Sequence, residues 1–405
     1  METLKQPAQT PYKVNTPQSW RKMISLLEKA SGPVAIDAER AQSFRYLDKA
    51  YLIQLRRADA GTFIIDPITF ETDSNVADFS QLSRTIIQEE WILHAASQDL
   101  GNLVALQMKP KKLFDTELAG RLLGFPRVGL ASMIEHYFDL HLLKSHSADD
   151  WSKRPIPDDW ISYAALDVEL LIELREKLLV DLDKNGKTEW ARQEFDYLTR
   201  WATAPQPAQP EPWRRTSGTH AVTTRRGMAV LRQLWLTRDE IAKRLDKSPH
   251  KVLVDNAISE LASLIRSDKG SVPTIRQIRK IDGFKRRQAL KHMDSWVNAL
   301  QQAASLDVAD LPELRRRGNG LSHPRKWSYI SPEAAQRWQV IRPMIITKAE
   351  ELNLPVENLI SPAALRETLW APEKDLDAQL AGLSARAWQR EIIVPIIEQG
   401  LAEIR

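Results

Sequence analysis

Asp37 and Glu39 end a short apolar run, Val34-Ala35-Ile36-Asp37-Ala38-Glu39. The run reads as a strand. Side chains alternate along a strand, so both carboxylates point to the same side. Two acids facing one space repel each other unless a cation or a shared proton sits between them. Carboxylate oxygens suit a hard divalent cation such as Mg²⁺ or Mn²⁺. Asp99 adds a third acid, at the first turn of a helix that follows a strand, in Leu93-His94-Ala95-Ala96-Ser97-Gln98-Asp99-Leu100. Tyr163 and Asp167 stand four apart in Ser162-Tyr163-Ala164-Ala165-Leu166-Asp167. On a helix that spacing puts both on one face, one turn apart. Each feature alone has an ordinary reading: a solvated strand end, a helix cap, a surface contact.

The elements that must carry these residues come in a recognisable order. Thr16-Pro17 reads as an N-cap with proline at N1, opening a helix to about Ala30, and residues 1–15 read as unstructured. After the 34–39 strand come Tyr51-Leu52-Ile53-Gln54-Leu55 and Thr62-Phe63-Ile64-Ile65-Asp66. Two closely spaced strands predict an antiparallel meander. Helices over about 78–89 and 97–107 then alternate with short strands at Trp91-Ile92-Leu93-His94 and Leu113-Phe114, the second ending at Asp115. Helices over 116–124 and 130–138, a polar loop from His141 to Pro157, and one long helix from Asp158 to about Asp183 follow. Strands first and strand–helix alternation later predict a mixed sheet flanked by helices.

The chain has 405 residues, which suggests two to four domains, and no cysteine. Disulfides, thiolate metal sites and a cysteine nucleophile are excluded. The N-terminus lacks a charged-then-apolar signal pattern and no apolar run spans a bilayer, so a cytoplasmic protein with no membrane role is expected. The formal net charge of +4 hides an asymmetry. Residues 213–293 hold 19 lysines and arginines against 7 acids, a net of +12, leaving −8 for the rest. Such a block suggests a polyanion-binding module, or a set of solvated helix faces.

Pro205, Pro207, Pro210 and Pro212 predict a semi-rigid linker over 205–222 that separates an α/β unit, 1–204, from all-helical segments. Residues 223–304 show helical periodicity through Leu231, Leu234, Trp235, Ile241 and Leu245. Residues 305–330 read as a basic linker with Arg315-Arg316-Arg317, and 331–405 as helices again.

Taken together in this order, Asp37, Glu39, Asp99 and Asp167, with Tyr163 four residues before the last acid, resemble the DEDDy family of 3′→5′ exonucleases. The wording around them resembles ribonuclease D: Ile36-Asp37-Ala38-Glu39, Leu52-Ile53-Gln54-Leu55, Ile65-Asp66-Pro67, Leu93-His94-Ala95, Asp150-Trp151-Ser152-Lys153-Arg154-Pro155 and Tyr163-Ala164-Ala165-Leu166-Asp167. The resemblance covers about residues 18–200. Residues 225–304 resemble an HRDC domain, the helical module also found in RecQ-type helicases, and 331–402 resemble a second copy more loosely.

The resemblance implies an α/β ribonuclease H-like exonuclease domain followed by two all-α HRDC-like domains. It implies a 3′→5′ exoribonuclease that trims RNA 3′ ends, tRNA precursors among them, with two divalent ions, Mg²⁺ or Mn²⁺. Hydrolysis of phosphodiesters by two metal ions needs clustered carboxylates, which the quartet supplies. By the family pattern Asp37 bridges both ions, Glu39 and Asp167 complete the site for the water-activating ion, Asp99 supports the second, and Tyr163 orients the attacking water. The chain departs from the pattern with Ala38 and Arg40, so Arg40 could contact a phosphate. His94 reads as a residue holding the strand end, and Asp66 and Asp115 as turn acids. Asp150, Lys153 and Arg154 either line the site or cap a loop. In the basic block the candidate RNA contacts are Arg225, Arg226, Lys243, Arg244, Lys285, Arg286 and Arg287. The group after Gly283-Phe284 is expected to present helix-start N–H groups to phosphate. The proline-rich linker is expected to keep the catalytic and helical modules separate, without a shared core. A DNA exonuclease of the proofreading or Werner type shares the quartet and is the alternative within the class. A non-catalytic RNA-binding adaptor is the alternative outside it, and the intact acids argue against that reading.

Overall fold

In the computed structural model, residues 2–404 are described, apart from 73–75, 143–148, 205–209, 270 and 315–320. Among the described residues eight strands form two sheets: β1 (Glu2–Leu4), β2 (Tyr12–Val14), β3 (Val34–Arg40), β4 (Ala50–Arg57), β5 (Gly61–Ile65), β6 (Glu90–Leu93), β7 (Lys112–Asp115) and β8 (Leu140–Leu142). The main sheet has the order β2-β5-β4-β3-β6-β7, and β1 pairs with β8 in a small second one. The β3-β4-β5 meander is antiparallel, whereas β3-β6 and β6-β7 are parallel. The sheet is mixed, as expected.

The first fifteen residues differ from expectation. They supply β1 and β2, because Val14 is fully buried, Tyr12 meets the edge of Phe63 at 6.0 Å, and β5 leaves an edge for β2 to pair with. Pairing with an existing edge satisfies backbone groups that a local reading of so short a segment leaves unassigned.

Around the main sheet lie α1 (Pro17–Lys29), α2 (Ser80–Thr85), α3 (Leu100–Ala105), α4 (Thr116–Leu122), α5 (Leu130–Phe138), α6 (Asp158–Glu169), α7 (Leu171–Lys184) and α8 (Thr188–Thr203). Thr16 caps α1 in a capping box with Ser19. The helix expected over 158–183 is two helices, broken at Leu170, where φ is −115° and ψ 9°. Period alone does not reveal such a break, since apolar spacing continues through it. The 97–107 helix is also shorter, α3 being preceded by a 3₁₀ turn at Ala96–Gln98.

Alternation along β3 sorts the sheet. Ile36, Ile53, Leu55, Phe63 and Ile65 join Met23, Ile24 and Leu27 of α1 in the main core. Leu52 and Ile64, on the opposite face, pack with Ile161, Ala164 and Ala165 of α6. Asp37 faces Gln54 and Glu39 faces Leu52 in the β3–β4 register, so both acids lie on the α6 side.

All remaining described elements are helical. Residues 225–305 build their own core around Leu231, Leu234, Ile241, Ile258, Leu261, Phe284 and Trp296. Both expected linkers are shorter than read. Trp213 and Val222 are buried in this core, between 3₁₀ turns at Pro212–Arg215 and Thr219–Ala221. Leu311 joins it from the other side, and Trp327 is buried with the last helices, meeting the edges of Trp338 and Trp370. Large apolar side chains among prolines and charges are buried here because each finds a prepared cavity. Arg315-Arg316-Arg317, Pro205 and Pro207 lie outside the described residues.

The expected separation of modules is overturned for the last helices. Ile341, Ile345, Leu365, Leu380, Trp388 and Ile397 belong to the same continuous core as the sheet. Trp388 stacks on Trp190 at 4.7 Å and donates its indole N–H to Glu194 at 2.9 Å, while Arg386 pairs with Glu194 at 2.7 Å. The Lys187 ammonium donates to the carbonyls of Leu122 and Leu352, both at 2.7 Å. A linker's proline content speaks to its stiffness and says nothing of the faces it joins.

Candidate active site

β3 delivers Asp37 and Glu39, and α6 delivers Asp167 one turn after Tyr163. One oxygen from each of Asp37, Glu39 and Asp167 lies within 4.8 Å of the others. Asp99 sits where the 3₁₀ turn passes into α3, and its carboxylate is 3.9 Å from the Arg40 guanidinium. A register shift between Glu39 and Arg40 marks the end of regular β3 pairing.

The turn that carries Asp99 is held by Asp115. That buried carboxylate accepts the N–H groups of Ala95 and Ala96 at 3.1 and 2.8 Å, and those of Glu117 and Leu118 at 2.9 and 3.1 Å. It therefore caps α4 and fixes the β6–α3 connection together, where Ala95 takes a left-handed φ of 58°. The sequence reading of Asp115 as a turn acid missed this second role, because its partners lie about twenty residues upstream. His94 is tied to the same strand end through Nδ1 and the Thr116 hydroxyl at 2.9 Å.

The electrostatics are those of crowded acids. Burial pushes the Glu39 carboxyl far above the usual carboxylate range, and Asp37, Asp167 and Asp99 push it further. Burial and Asp37 raise Asp99, with Arg40 opposing. Burial raises Asp37, opposed by the Ala38 N–H and Arg40. Without a cation such a cluster retains protons near neutral pH. An oxygen-only donor set of this kind fits a hard divalent ion, which relieves the repulsion by displacing them. The Tyr163 hydroxyl is also held above its usual range, first by burial and then by Asp167, Glu39 and Asp37. It keeps its proton at neutral pH.

A cleft of about 540 Å³ opens over these groups, lined also by Arg40, Phe44, His94, Gln98, Leu130 and Asp149. Its mouth is formed partly by the segment between β3 and β4. Asp246, at the end of the helix Arg225–Leu245, holds that segment through Arg45 and the N–H groups of Tyr46 and Leu47. Ser248 N–H donates to the Phe44 carbonyl at 3.1 Å, and the Lys251 ammonium lies 3.8 Å from the Phe44 ring centroid. Phe44, Asp149 and Asp246 were not singled out from sequence. Nothing local marks them, since each gains its place from another element.

Several expected RNA contacts are structural instead. Arg154 grips Asp66 with two bonds of 2.7 Å and donates to the carbonyls of Tyr51, Trp151 and Lys153, leaving no fork for phosphate. Arg226 is buried and donates to the carbonyls of Ala303, Leu306 and Asp268. Arg225 reaches the Leu311 carbonyl and Glu313. Asp150 accepts from Ser152, capping the loop, and Lys153 lies over Trp160 at 5.7 Å. The helix expected after Gly283 starts before it, at Asp282, and the glycine is there because a Cβ would strike that of Ala257. Lys243, Arg244, Lys285, Arg286 and Arg287 are exposed.

Fold and site together define a 3′→5′ exonuclease. Residues 11–183 match the 3′-5′ exonuclease family, and residues 320–401 match the family described as 3′ to 5′ exonuclease C-terminal domain. The chain is 28% identical over 284 residues to ribonuclease D of Bartonella henselae, spanning 69% of this chain and 67% of that one. It is 35% identical to a protein of Bifidobacterium adolescentis of solved structure, with a TM-score of 0.87 over 99% of both chains. Ribonuclease D of Escherichia coli, an exoribonuclease involved in structured RNA processing, shares the fold, with a TM-score of 0.69 over 98% of this chain and 99% of that one, at 22% identity. The chain is a 3′→5′ exoribonuclease similar to ribonuclease D. No helix among the described residues is long and apolar enough to cross a membrane.

Proposed function

We propose that this 3′→5′ exoribonuclease trims the 3′ ends of structured RNA, tRNA precursors among them, in the cytoplasm, using two divalent ions, Mg²⁺ or Mn²⁺. The observation that carries the reading is the convergence of the Asp37, Glu39 and Asp167 carboxylates within 4.8 Å. Asp37 would bridge the ions, Glu39 and Asp167 would complete one site, and Asp99 would serve the other. Ions bound there would activate water and neutralise charge on the reacting phosphate.

The chain's own groups do the rest. In hydrolysis a water oxygen attacks phosphorus and the P–O3′ bond breaks, releasing a nucleoside 5′-monophosphate and leaving a new 3′-hydroxyl. Tyr163 keeps its proton, so its hydroxyl orients the water instead of accepting a proton from it. Arg40 lies beside Asp99 at the edge of the cleft, able to meet a phosphate oxygen. Phe44 offers a ring to the terminal base. Asp115 and Asp246 act through the backbone, by holding the turns that carry Asp99 and Phe44.

In this reading the catalytic unit is 1–204 together with the last helices, 331–405, which complete its core, and the helical unit 223–304 is an HRDC-type domain. Exposed Lys243, Arg244, Lys285, Arg286 and Arg287 support that helical unit as a source of RNA affinity, although Lys285 also pairs with Asp282 at 2.7 Å. The test is hydrolysis of a 3′-labelled RNA and a matched DNA with Mg²⁺, Mn²⁺ or EDTA. Metal-dependent release of RNA 3′-terminal nucleotides is expected, and DNA degraded as fast as RNA would overturn the substrate assignment.

A further inference from the structure

Far along the chain from the catalytic acids, the last helices enclose a second cleft of about 820 Å³. Its floor is apolar, with Ile360 and Leu365. Its wall carries Trp338, with the Arg342 guanidinium 5.6 Å from the indole centroid. Arg325 and Arg366 also line it, so three arginines share the cleft, and Glu357 is the sole carboxylate among its described lining residues. Among the described residues none of the three arginines has a carboxylate within ion-pair distance. Arg366 donates only to the Pro362 carbonyl of its own helix. Tyr329 follows Ser328 of the lining and is 91% exposed, beside Ile330 at 56%.

That composition is informative. A helix face made for solubility pairs its charges, as a separate cleft between α8 and the C-terminal helices does. There Arg192, Arg386 and Arg390 meet Asp196, Glu194 and Asp377 at 2.7, 2.7 and 2.9 Å. Guanidinium groups without acids, set around an indole and beside a bare phenol ring, suit alternating phosphates and bases. Bases stack on aromatic faces whatever their sequence, and Arg forks match phosphate oxygens.

We propose that this cleft is a second RNA site, which holds an unpaired stretch of the substrate by stacking a base on Trp338 and pairing phosphates with Arg325, Arg342 and Arg366. It rests on the RNA substrate proposed above and adds where the strand is gripped away from the catalytic acids. Tyr329 stands at the rim, placed to stack a second base. The site recognises nucleotide units in a strand, through stacking and phosphate pairing.

The test uses the full chain in EDTA, where hydrolysis stops and binding alone is read. The probe is 5′-fluorescein-labelled oligouridylate, titrated at several salt concentrations against the wild type and Arg325→Ala/Arg342→Ala. Both side chains are exposed, so the double variant should melt as the wild type does. Its affinity should fall by about tenfold and its salt slope by about 1–2. Arg325→Lys/Arg342→Lys should recover most of the slope but less of the affinity, since it keeps the charge and loses the fork. Excess uridine 5′-monophosphate should displace the probe less readily than unlabelled oligouridylate, separating a strand site from a free-nucleotide site. Equal affinity and equal slope in wild type and the Ala pair would overturn the proposal and leave the cleft to a protein partner. Should the Ala pair melt early, Arg342→Gln carries the same criterion. A chain that binds through this cleft but hydrolyses no RNA would sink the catalytic reading alone, and one that hydrolyses RNA with binding indifferent to these arginines would sink this one alone.

Discussion

Asp246 accepts the backbone N–H of Tyr46 at 3.1 Å across 200 residues of sequence. The same carboxylate takes the Leu47 N–H at 3.2 Å and the Arg45 guanidinium at 3.3 Å. One acid of the helical unit thereby fixes the segment that holds Phe44 at the cleft. The helical unit is part of how the catalytic cleft is shaped, beyond any charge it contributes.

Asp246→Ala should raise KM for RNA about 5- to 30-fold, the loss expected when bonds worth about 1–2 kcal/mol no longer order a binding segment. The melting temperature should hardly change, and Asp246→Asn, which retains one acceptor oxygen, should recover part of the loss. Steady-state kinetics on one RNA distinguish this from a fold defect. An unaltered KM would show that the Phe44 segment is held without Asp246.

Asp37→Ala or Asp167→Ala should lower turnover by at least about 10³-fold at saturating Mg²⁺ or Mn²⁺, as expected when a metal-held phosphate loses its charge stabilisation. The metal-free variants should melt no earlier than the wild type, since each substitution removes a repelling acid. Wild-type-like turnover in either variant would refute the site.

Tyr163→Phe keeps the ring and removes the hydroxyl. Single-turnover rates should fall about 10- to 100-fold through loss of alignment, with metal and RNA binding nearly unchanged. Because the phenol stays protonated well into the alkaline range, the wild-type rate should show no rise with pH that this substitution abolishes. A rise toward alkaline pH that vanishes in the variant would make Tyr163 a base.

The cation-free protein should lose stability as pH rises. Burial holds Asp37 up to about 6, and burial with repulsion from neighbouring acids holds Asp99 up to about 8 and Glu39 up to about 9, all above their unfolded values. The folded state therefore binds more protons than the unfolded one between the unfolded values and these, and stability falls across that window. Mn²⁺ should reverse the loss, so the gap in Tm between Mn²⁺ and EDTA should widen from pH 6 to pH 9. Differential scanning calorimetry would read it, and a constant gap would mean that the acids do not share one cation site.

Trp388→Ala should cost about 3–5 kcal/mol of unfolding free energy in urea, in line with removal of a large buried aromatic. It should destabilise the catalytic unit itself, because Trp388 stacks on Trp190 and bonds Glu194. For the same reason a chain ending at residue 204 should aggregate, its face around Trp190 laid bare. A soluble, active 1–204 fragment would contradict the shared core.

The sequence by itself determined the chemistry and the elements that carry it. Strand alternation put Asp37 and Glu39 on one side, and helical spacing put Tyr163 and Asp167 on one face, because both rules act within a few residues. The tertiary structure alone decided what joins distant elements. Arg154 and Arg226 look from sequence like free cations, and only the fold surrounds them with carbonyls and Asp66. Trp388 lies in a stretch that reads from sequence as helix, and docking against α8 makes it part of the catalytic unit. Asp246 ends a helix in any local reading, and only packing brings the Tyr46 N–H to it. The reason is range: backbone periodicity is written locally, whereas a buried contact depends on where the whole chain brings its partner.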